Sequence, residues 1–225
     1  MRIKLTPRLS AAASLVRGGG IVADIGTDHG YLPIYLLQSG KVKGAIAADI
    51  GKMPLKNAES SVKIYGLQDK ITLRLSDGLC QFSENEADEI VFAGMGGTLI
   101  AEKLAETPWV KNEKLHFVFQ PQSRAEDLRR FLFENGFTIN EEIATHEGRR
   151  IYIAFDASYT GEIIDFDYAD SFIGKLPHTA DAYMHLTHQL SRLKEKYEAF
   201  VKCGKTEESK MLFETIEKIE GFING

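Results

Sequence analysis

Short apolar runs alternate with amphipathic stretches along the first 160 residues. The runs are GIVADI, GAIAADI, ITLRL, EIVFAG and LHFVFQ, followed by two longer segments, FTINEEIATHE and RRIYIAFDA. We interpret these seven runs as strands, and the stretches between them as helices. Strands that take turns with helices form a parallel sheet covered on both faces. The pattern therefore predicts an α/β protein.

The last two strands are separated only by Glu147 and Gly148. Such a short link joins antiparallel neighbours, so the chain is predicted to close on a hairpin at the edge of the sheet, with its last strand antiparallel. At the other end of the chain, Thr6 and Pro7 predict the start of a short helix that glycines 18 to 20 terminate. Ser123 is predicted to cap the helix RAEDLRRFLFENG.

After residue 160 the pattern changes. A helix follows Pro177, and its apolar residues are spaced by three and four positions up to the stop at Gly204. A second helix repeats this rhythm up to Ile223. Two such helices joined by a few residues predict an antiparallel, coiled-coil-like hairpin with a polar exterior. We therefore divide the chain into a first domain, residues 1 to 160, and a C-terminal helical hairpin, residues 161 to 225.

Composition excludes several classes of protein. Of the 225 residues, 44% are hydrophobic and 26% are charged, the balance of a globular protein with a real core. No apolar run approaches the roughly 18 residues of a membrane span, and Arg17 and glycines interrupt the N-terminal region where a secretory signal is apolar. Only Cys80 and Cys203 are present, too few for a disulfide framework or a metal cluster. We expect a cytoplasmic protein without a metal.

Charge is unevenly distributed. The net charge of the chain is -5, yet residues 1 to 20 contain four basic residues, Arg2, Lys4, Arg8 and Arg17, and no acidic one. This N-terminal segment is predicted to contact phosphates, while the bulk of the molecule repels them. A solvated helix surface is the alternative interpretation.

Candidate chemistry follows the strand ends, because ligands of open parallel sheets bind beyond the carboxyl ends of the strands. The first strand leads into Asp24-Ile25-Gly26-Thr27-Asp28-His29-Gly30, where two glycines allow a tight turn into a helix whose free amides attract an anion. The turn lacks the GxGxxG pattern, and the carboxylate of Asp28 disfavours a dinucleotide pyrophosphate. A nucleotide without phosphates and with its own cationic group, such as S-adenosylmethionine, fits better. A plain glycine turn with a helix cap remains the alternative.

The next two strand ends offer further carboxylates. Asp49 lies 23 residues after Gly26, close to the spacing at which an acidic residue meets ribose hydroxyls. The carboxylate of Asp77 is predicted to accept a hydrogen bond from the adenine amine, while Gly78 lets the purine approach. The alternative is that these residues simply form a type I turn, which favours the same residue types without any ligand.

The fourth and fifth strand ends are candidates for the substrate side. Gly94-Met95-Gly96-Gly97 removes side-chain bulk where a substrate meets the cofactor, although close helix packing explains such glycines equally well. Gln120-Pro121 offers an amide to a base edge, or forms a turn. Each motif is ambiguous alone, but all five are predicted to lie on one rim.

With these motifs the sequence resembles the class I methyltransferases and, more closely, the bacterial family that methylates N1 of adenine 22 in tRNA. The resemblance covers the whole chain and rests on ADIGTDHGYLPIYL, Asp49, SDGL, AGMGG, FQPQSR and the trailing hairpin. It implies a Rossmann-like sheet of seven strands, S-adenosylmethionine as cofactor and tRNA as partner. The predicted cofactor-binding residues are Asp24, Gly26, Asp28, His29, Gly30, Asp49, Ile50, Asp77, Gly78, Gly94 and Met95. The predicted substrate-binding residues are Arg8, Arg17, Tyr31, Gly96, Gly97, Gln120 and Pro121.

The chemistry implied by this resemblance needs little acid–base help. The segment Gly94 to Gly97 replaces the (N/D)PP(Y/F) motif that grips an exocyclic amine, and N1 of adenine offers an in-plane lone pair that is free at neutral pH. Desolvation and in-line positioning then supply most of the catalysis. Asp28 and His29 are candidates for stabilising the cationic product, and Tyr31 for stacking on a base that has left its helix, with packing as the alternative for Tyr31.

Two other functions remain compatible with the same rim. One is a methyltransferase that acts on a protein or a small molecule, and the other is a non-catalytic nucleotide-sensing adaptor whose hairpin recruits a partner. For the favoured function we expect no membrane partner, no metal and no requirement for an oligomer.

Overall fold

The computed structural model describes residues 2–225 as a seven-stranded sheet covered by helices on both faces. The strands are β1 (Ile21–Ile25), β2 (Gly44–Asp49), β3 (Ile71–Leu75), β4 (Glu89–Ala93), β5 (His116–Gln120), β6 (Phe137–Glu147) and β7 (Arg150–Tyr159). The helices are α1 (Pro7–Leu15), α2 (Tyr31–Gln38), α3 (Lys52–Ile64), α4 (Gly97–Ala105), α5 (Ala125–Glu134), α6 (Tyr168–Ile173), α7 (Ala180–Lys202) and α8 (Thr206–Asn224). A 3₁₀ turn covers Pro108–Val110.

The strands are arranged in the order β3-β2-β1-β4-β5-β7-β6. Strands β1 to β5 pair in parallel, whereas β7 runs antiparallel to both of its neighbours, β5 and β6. The predicted seven-stranded α/β sheet with an antiparallel last strand is thus confirmed. The strand order reverses between β1 and β4, and this switch point is where open α/β sheets bind their ligands.

The closing hairpin differs slightly from its prediction. Its two-residue turn is Gly148-Arg149, one position later than predicted, because Glu147 still pairs with Arg150. Gly148 has a φ of 65°, which a two-residue hairpin turn of this hand demands and which glycine adopts without strain. Strand β7 lies inside the sheet, and β6 forms the edge.

Helix starts agree with the sequence only in part. Helix α1 begins at Pro7 after Thr6, as predicted. The predicted cap at Ser123 is wrong, because Arg124, with a φ of 57°, precedes the first turn of α5. Ser123 instead extends beside Gly96, and its carbonyl oxygen accepts a hydrogen bond from the Gly97 amide at 2.8 Å. Helix α6 was not predicted; a capping box of Asp167 and Asp170 starts it.

Two apolar clusters lie on opposite faces of the sheet, since successive strand side chains point to opposite sides. One face, with Ala23 and Phe117 among its strand residues, packs against α4, α5 and the C-terminal helices. The other, with Val22 and Val118, packs against α1 and α2. Among the described residues, no helix is long and apolar enough to cross a membrane.

Helices α7 and α8 run antiparallel, because Tyr183 lies against Phe222 near one end and Tyr197 against Phe213 near the other. The root of α7 belongs to the same apolar cluster as β7, through side chains such as Leu186. The tip of the hairpin, around residues 203 to 205, is exposed. The proposed division near residue 160 stays a prediction.

A buried ion pair fastens the C-terminal segment. Arg129 of α5 is 1% exposed and donates to both carboxylate oxygens of Glu142, at 3.0 and 2.7 Å. Its third nitrogen donates to the carbonyl oxygens of Ser171 and Phe172 in α6, at 2.9 and 3.0 Å. All the polar atoms of this buried pair therefore have partners, the condition under which burying charge is tolerated.

Candidate active site

The turn between β1 and α2 is shaped by two glycines in the left-handed region. Gly26 has a φ of 81° and Gly30 a φ of 67°, values that favour glycine over any other residue. The amides of Gly26 and Thr27 both donate to the Ala48 carbonyl oxygen, which ties the turn to the end of β2. The Thr27 hydroxyl accepts from the Gly30 amide at 3.1 Å, so the start of α2 is held in place.

Carboxylates without cationic partners surround this turn. Asp24 is buried at the end of β1, and burial raises its pKa to about 6, opposed by a hydrogen bond from Thr27 and assisted by the charge of Asp49. Burial also raises the pKa of Asp49, opposed by the Gly51 amide at 2.6 Å and assisted by Asp28. Within residues 2–225, neither Asp24 nor Asp49 pairs with a lysine or an arginine. The negative charge is left for a ligand to neutralise.

A cleft of about 400 Å³ opens beside the turn. Asp24, the turn itself and Tyr31 line it from one side, and Gly94 and the first turn of α1 from the other. The rings of His29 and Tyr31 stack at 5.0 Å between centroids, and 41% of Tyr31 is exposed. Asp28 is an exposed neighbour, 3.3 Å from the His29 ring. The three predicted catalytic residues are thus adjacent, at the mouth of the cleft.

The ends of β2 and β3 form a second hollow, of about 480 Å³. Ile50 and Leu75 present exposed apolar side chains to it, beside Asp77. One oxygen of Asp77 is engaged by Lys103 at 3.0 Å. Gly78 is buried with a φ of 54°, and a β carbon there would lie 2.7 Å from the Lys103 side chain, so backbone conformation and packing together account for the glycine. The roles of Asp77 and Gly78 in adenine binding stay predictions.

The glycine motif after β4 divides into two parts. Gly94 has a φ of 90° and lines the cleft, with an Arg8 nitrogen 3.7 Å from where its β carbon would lie. Met95 packs under Gly26. Gly97 is buried, and a β carbon there would lie 2.1 Å from the Arg124 carbonyl oxygen. Placing Gly97 in the substrate site is therefore a misreading: it permits close packing of α4 against the next loop.

Gln120 also differs from its prediction. It is completely buried, its side-chain oxygen accepts from Arg8 at 3.0 Å, and its amide nitrogen donates to the Pro121 carbonyl oxygen at 3.3 Å. Its amide is therefore not free to meet a base. Gln120 holds Arg8 over the cleft instead, and Glu147 lies 3.9 Å from the other side of that guanidinium. The exposed Gln122, two residues later, lines the cleft.

Arg17 lies at the amino-terminal ends of the parallel strands, on the opposite side of the sheet from the cleft at their carboxyl ends. Its amide donates to Glu89 at the start of β4, and its guanidinium donates to Ser158, which pairs with the first residue of β5. The strands separate these ends from the carboxyl ends, so Arg17 is wrongly placed in the substrate site. Arg8 and Arg17 consequently do not share one basic face.

Six residues that line the cleft are absent from the predicted site: Thr6, Leu9, Thr27, Leu32, Ala93 and Gln122. Thr6 and Leu9 reach the cleft because α1 begins above the switch point, a packing relation that no local pattern records. Gln122 had a usable signal, as an exposed polar residue just beyond the end of β5. No group of three metal-ligating side chains converges anywhere in residues 2–225.

Comparisons with known proteins agree with this geometry. A family described as "Methyltransferase domain" matches residues 5–155. The tRNA (adenine(22)-N(1))-methyltransferase of Bacillus subtilis is 31% identical over 97% of this chain and 95% of its own length.

Solved structures extend the likeness to the whole fold. A Streptococcus pneumoniae structure, titled a putative tRNA (m1A22) methyltransferase in complex with S-adenosyl-L-methionine, is 30% identical, with a TM-score of 0.82, over 99% of this chain and 100% of that one. A Streptococcus agalactiae protein described as a member of the NADB-Rossmann superfamily has a TM-score of 0.85 at 30% identity over 99% of both chains. The chain therefore belongs to the class I methyltransferases and, within them, to the tRNA (adenine(22)-N(1))-methyltransferase family.

Proposed function

We propose that this chain transfers the methyl group of S-adenosylmethionine to N1 of adenine 22 in tRNA. The observation that carries the proposal is the set of carboxylates without cationic partners around a glycine turn at the switch point. These charges repel a pyrophosphate and attract a ligand with an ammonium and a sulfonium group. The kinship with the Bacillus subtilis enzyme adds the substrate class.

The residues present fit this cofactor. Asp24 and the turn from Gly26 to Gly30 would hold its amino-acid part, and Asp49 its ribose hydroxyls. Ile50 and Leu75 offer apolar surface to its adenine, next to Asp77. When bound, S-adenosylmethionine supplies a methyl group on a positively charged sulfur, so that methyl transfer leaves a neutral thioether.

The cleft beside the turn would receive the target base. The stacked pair His29 and Tyr31 lies at its mouth and offers an aromatic face to an unpaired adenine. N1 carries a free lone pair at neutral pH, so the chain needs no group to remove a proton before transfer. What the residues provide is positioning and exclusion of water, while Asp28 beside His29 places negative charge near the cationic product.

N1 lies on the Watson–Crick edge, so the adenine must leave its base pair to react. We propose that a single copy of the chain suffices for the reaction. The cytoplasm, where tRNA is modified, is the proposed location.

Mass spectrometry of nucleosides tests the proposal. The full-length protein is incubated with S-adenosylmethionine and a tRNA transcript that carries adenine at position 22, and a transcript with guanine at that position serves as control. We expect 1-methyladenosine in the first transcript and none in the second. Methylation of other positions, or of neither transcript, would refute the proposed substrate and favour a protein or small-molecule acceptor or a non-catalytic role.

A further inference from the structure

A third cavity, of about 200 Å³, lies between the loop after β5, the first residues of β7 and the N-terminal part of α7. We call it the arm pocket; its polar lining is Gln122, Ser123, Arg124, Tyr152, His185, His188, Gln189 and Arg192. Gln122 lines both the arm pocket and the candidate active-site cleft. Arg8, which lies over Gly94 in the cleft, has its guanidinium 6.0 Å from the centre of the Tyr152 ring. The two cavities are therefore neighbours.

The arm pocket has the opposite charge character to the cleft. None of the residues that line it is acidic, although 32 of the 225 residues of the chain are Asp or Glu. Arg192 forms no ion pair with any described residue, so its guanidinium is free for a ligand. Arg124 is only partly neutralised, with its nitrogens 3.5 and 3.8 Å from Glu126 and Asp127, and 59% of its side chain is exposed.

The remaining polar groups suit an anion that also carries hydroxyl groups. His185 faces the pocket as a neutral ring at neutral pH, because burial lowers its pKa to about 3, assisted by the charges of Arg129 and His188. Gln189 and His188 add hydrogen-bonding groups from the same face of α7 as Arg192, at three- and four-residue spacing. The volume is too small for a second cofactor, but it accommodates a phosphate with part of its ribose.

We propose that the arm pocket binds the phosphodiester of an RNA nucleotide next to the target adenosine, with Arg192 as its principal cation. This inference rests on the proposed function and adds a substrate-positioning residue to it. When the target adenine rotates out of its helix into the cleft, the adjacent nucleotides stay near the cleft. A phosphate bound in the neighbouring arm pocket would hold the RNA strand in place while the adenine is unpaired. In this view the hairpin contributes to RNA binding through its root.

The other basic residues of α7 do not share this position. Lys194 pairs with Glu220 of α8, and Lys196 lies 5.4 Å from the centre of the Phe200 ring. Lys202, at the exposed C-terminal end of α7, lies outside the pocket. Lys202 thus gives a matched control, since it lies on the same helix with the same charge.

The test compares Arg192→Gln with Lys202→Gln in the full-length protein. For R192Q we expect the KM for tRNA to rise about tenfold with kcat retained, since one charge-assisted hydrogen bond is lost. The dependence of log affinity on log salt should flatten by about 0.7 to 0.9, the change for one phosphate contact. Affinity for S-adenosylmethionine and the melting temperature should match the wild type. K202Q should match it in every measurement.

Each remaining outcome decides the question. Equal KM and salt slope for R192Q and wild type, with the wild type active on tRNA, would overturn the arm pocket while leaving the proposed function intact. An equal loss in K202Q would overturn it too, because the effect would then be one of overall charge. An inactive wild type would instead refute the proposed function, and filter binding of tRNA to the two variants would still test the pocket.

Discussion

The side chain of Asp24 shows how a single residue links stability to ligand binding. Its carboxylate is buried without a cationic partner among residues 2–225, and burial raises its pKa to about 6 from an ordinary 3.8. The folded state therefore holds a proton that the unfolded state has released between pH 4 and 6. By linkage, the free energy of unfolding falls as the pH rises through this window, by about 3 kcal/mol in total for the ligand-free protein.

Asp24→Asn should consequently stabilise the ligand-free protein above pH 6 and leave it nearly unchanged at pH 4. The same substitution should weaken the binding of S-adenosylmethionine at pH 7, because a negative charge near its cationic groups is lost. The affinity of the wild type should fall toward that of the variant as the pH drops below 6. Urea denaturation and calorimetry across pH 4 to 8 measure both effects.

The exposed Asp28 supplies the control for this prediction. Asp28→Asn should leave the free energy of unfolding within about 0.5 kcal/mol of the wild type, as surface substitutions usually do. If Asp24→Asn destabilised the ligand-free protein at pH 7, the predicted cost of its buried charge would be refuted, and equal affinity of variant and wild type for S-adenosylmethionine would refute its role toward the cofactor.

At the scale of single residues, the position of the cleft could be predicted from the sequence, but the contacts of several of its predicted residues could not. The glycines and carboxylates at the strand ends could be found because their positions follow from the sheet topology. Gly97, Gln120 and Arg17 were misassigned for one reason: their partners, the Arg124 carbonyl, Arg8 and the start of β4, are remote in sequence or belong to a loop whose path no pattern shows.

Among the elements, α6 depends on a contact that leaves no room for a side chain at Gly174. This residue has a φ of 57°, and a β carbon there would lie 2.3 Å from Glu142 and 2.5 Å from Arg129. Gly204, between α7 and α8, has a similar φ of 68° but nothing within 4 Å. Both glycines thus adopt a positive φ, but Gly174 is closely packed and Gly204 is not.

Gly174→Ala should therefore destabilise the protein far more than Gly204→Ala. The backbone cost at Gly204 is about 1 kcal/mol. At Gly174 the added methyl group also displaces the buried Arg129–Glu142 pair, and breaking such a pair costs about 3–5 kcal/mol. Chemical denaturation of both variants measures the difference. Equal losses would mean that the ion pair shifts freely and does not fasten α6.

The periodicity of apolar residues predicted most helices and strands well, but it did not predict how the C-terminal helices are fastened to the sheet domain. The seven strands and the two long C-terminal helices carry repeats of two and of three to four residues over enough positions to be recognised. Arg129 looks like any surface arginine in α5, yet it is one of the most buried side chains. Its burial depends on α6, a six-residue helix too short to show a period.

At the scale of the whole molecule, buried ionisable side chains lie at both ends of the parallel strands. At the amino-terminal ends of the parallel strands, opposite the cleft, the His116 ring lies between two carboxylates. Its Nδ1 is 2.6 Å from Glu89 of β4, and its Nε2 is 2.8 Å from Asp156 of β7. Burial by itself lowers the pKa of His116, but the hydrogen bonds to Asp156 and Glu89 outweigh it and raise that pKa. Burial raises the pKa values of Glu89 and Asp156, and the hydrogen bonds from His116 and nearby groups outweigh it and lower both.

These directions predict that the contribution of these three groups to stability passes through a maximum. The contribution of His116 is complete below pH 6.5 and is lost as the pH rises through its raised pKa. The carboxylates contribute above their ordinary values of 4.5 and 3.8 and lose this contribution in acid. The three groups together should stabilise most between about pH 5 and 6.5.

His116→Gln should lower the free energy of unfolding by about 3–5 kcal/mol at pH 6, because two buried carboxylates lose their cation. The loss should shrink as the pH rises above 6.5 toward the raised pKa of the wild-type ring. Urea titrations from pH 5 to 9 measure the profile, with the exposed His188→Gln as control. A loss that is constant across this range would mean that the His116 ring does not change its protonation state between pH 5 and 9, and would contradict the prediction.

The position of β7 between β5 and β6 sets the order in which the chain is completed during translation. Helix α1 packs against β5, β6 and β7, so the surface that covers its buried alanines is finished only when residue 159 has been made. At typical rates of synthesis, the nascent α1 waits roughly ten to thirty seconds for its partners. The first helix of the protein is thus among the last to be enclosed, and its short, alanine-rich apolar face exposes little surface to aggregation during that interval.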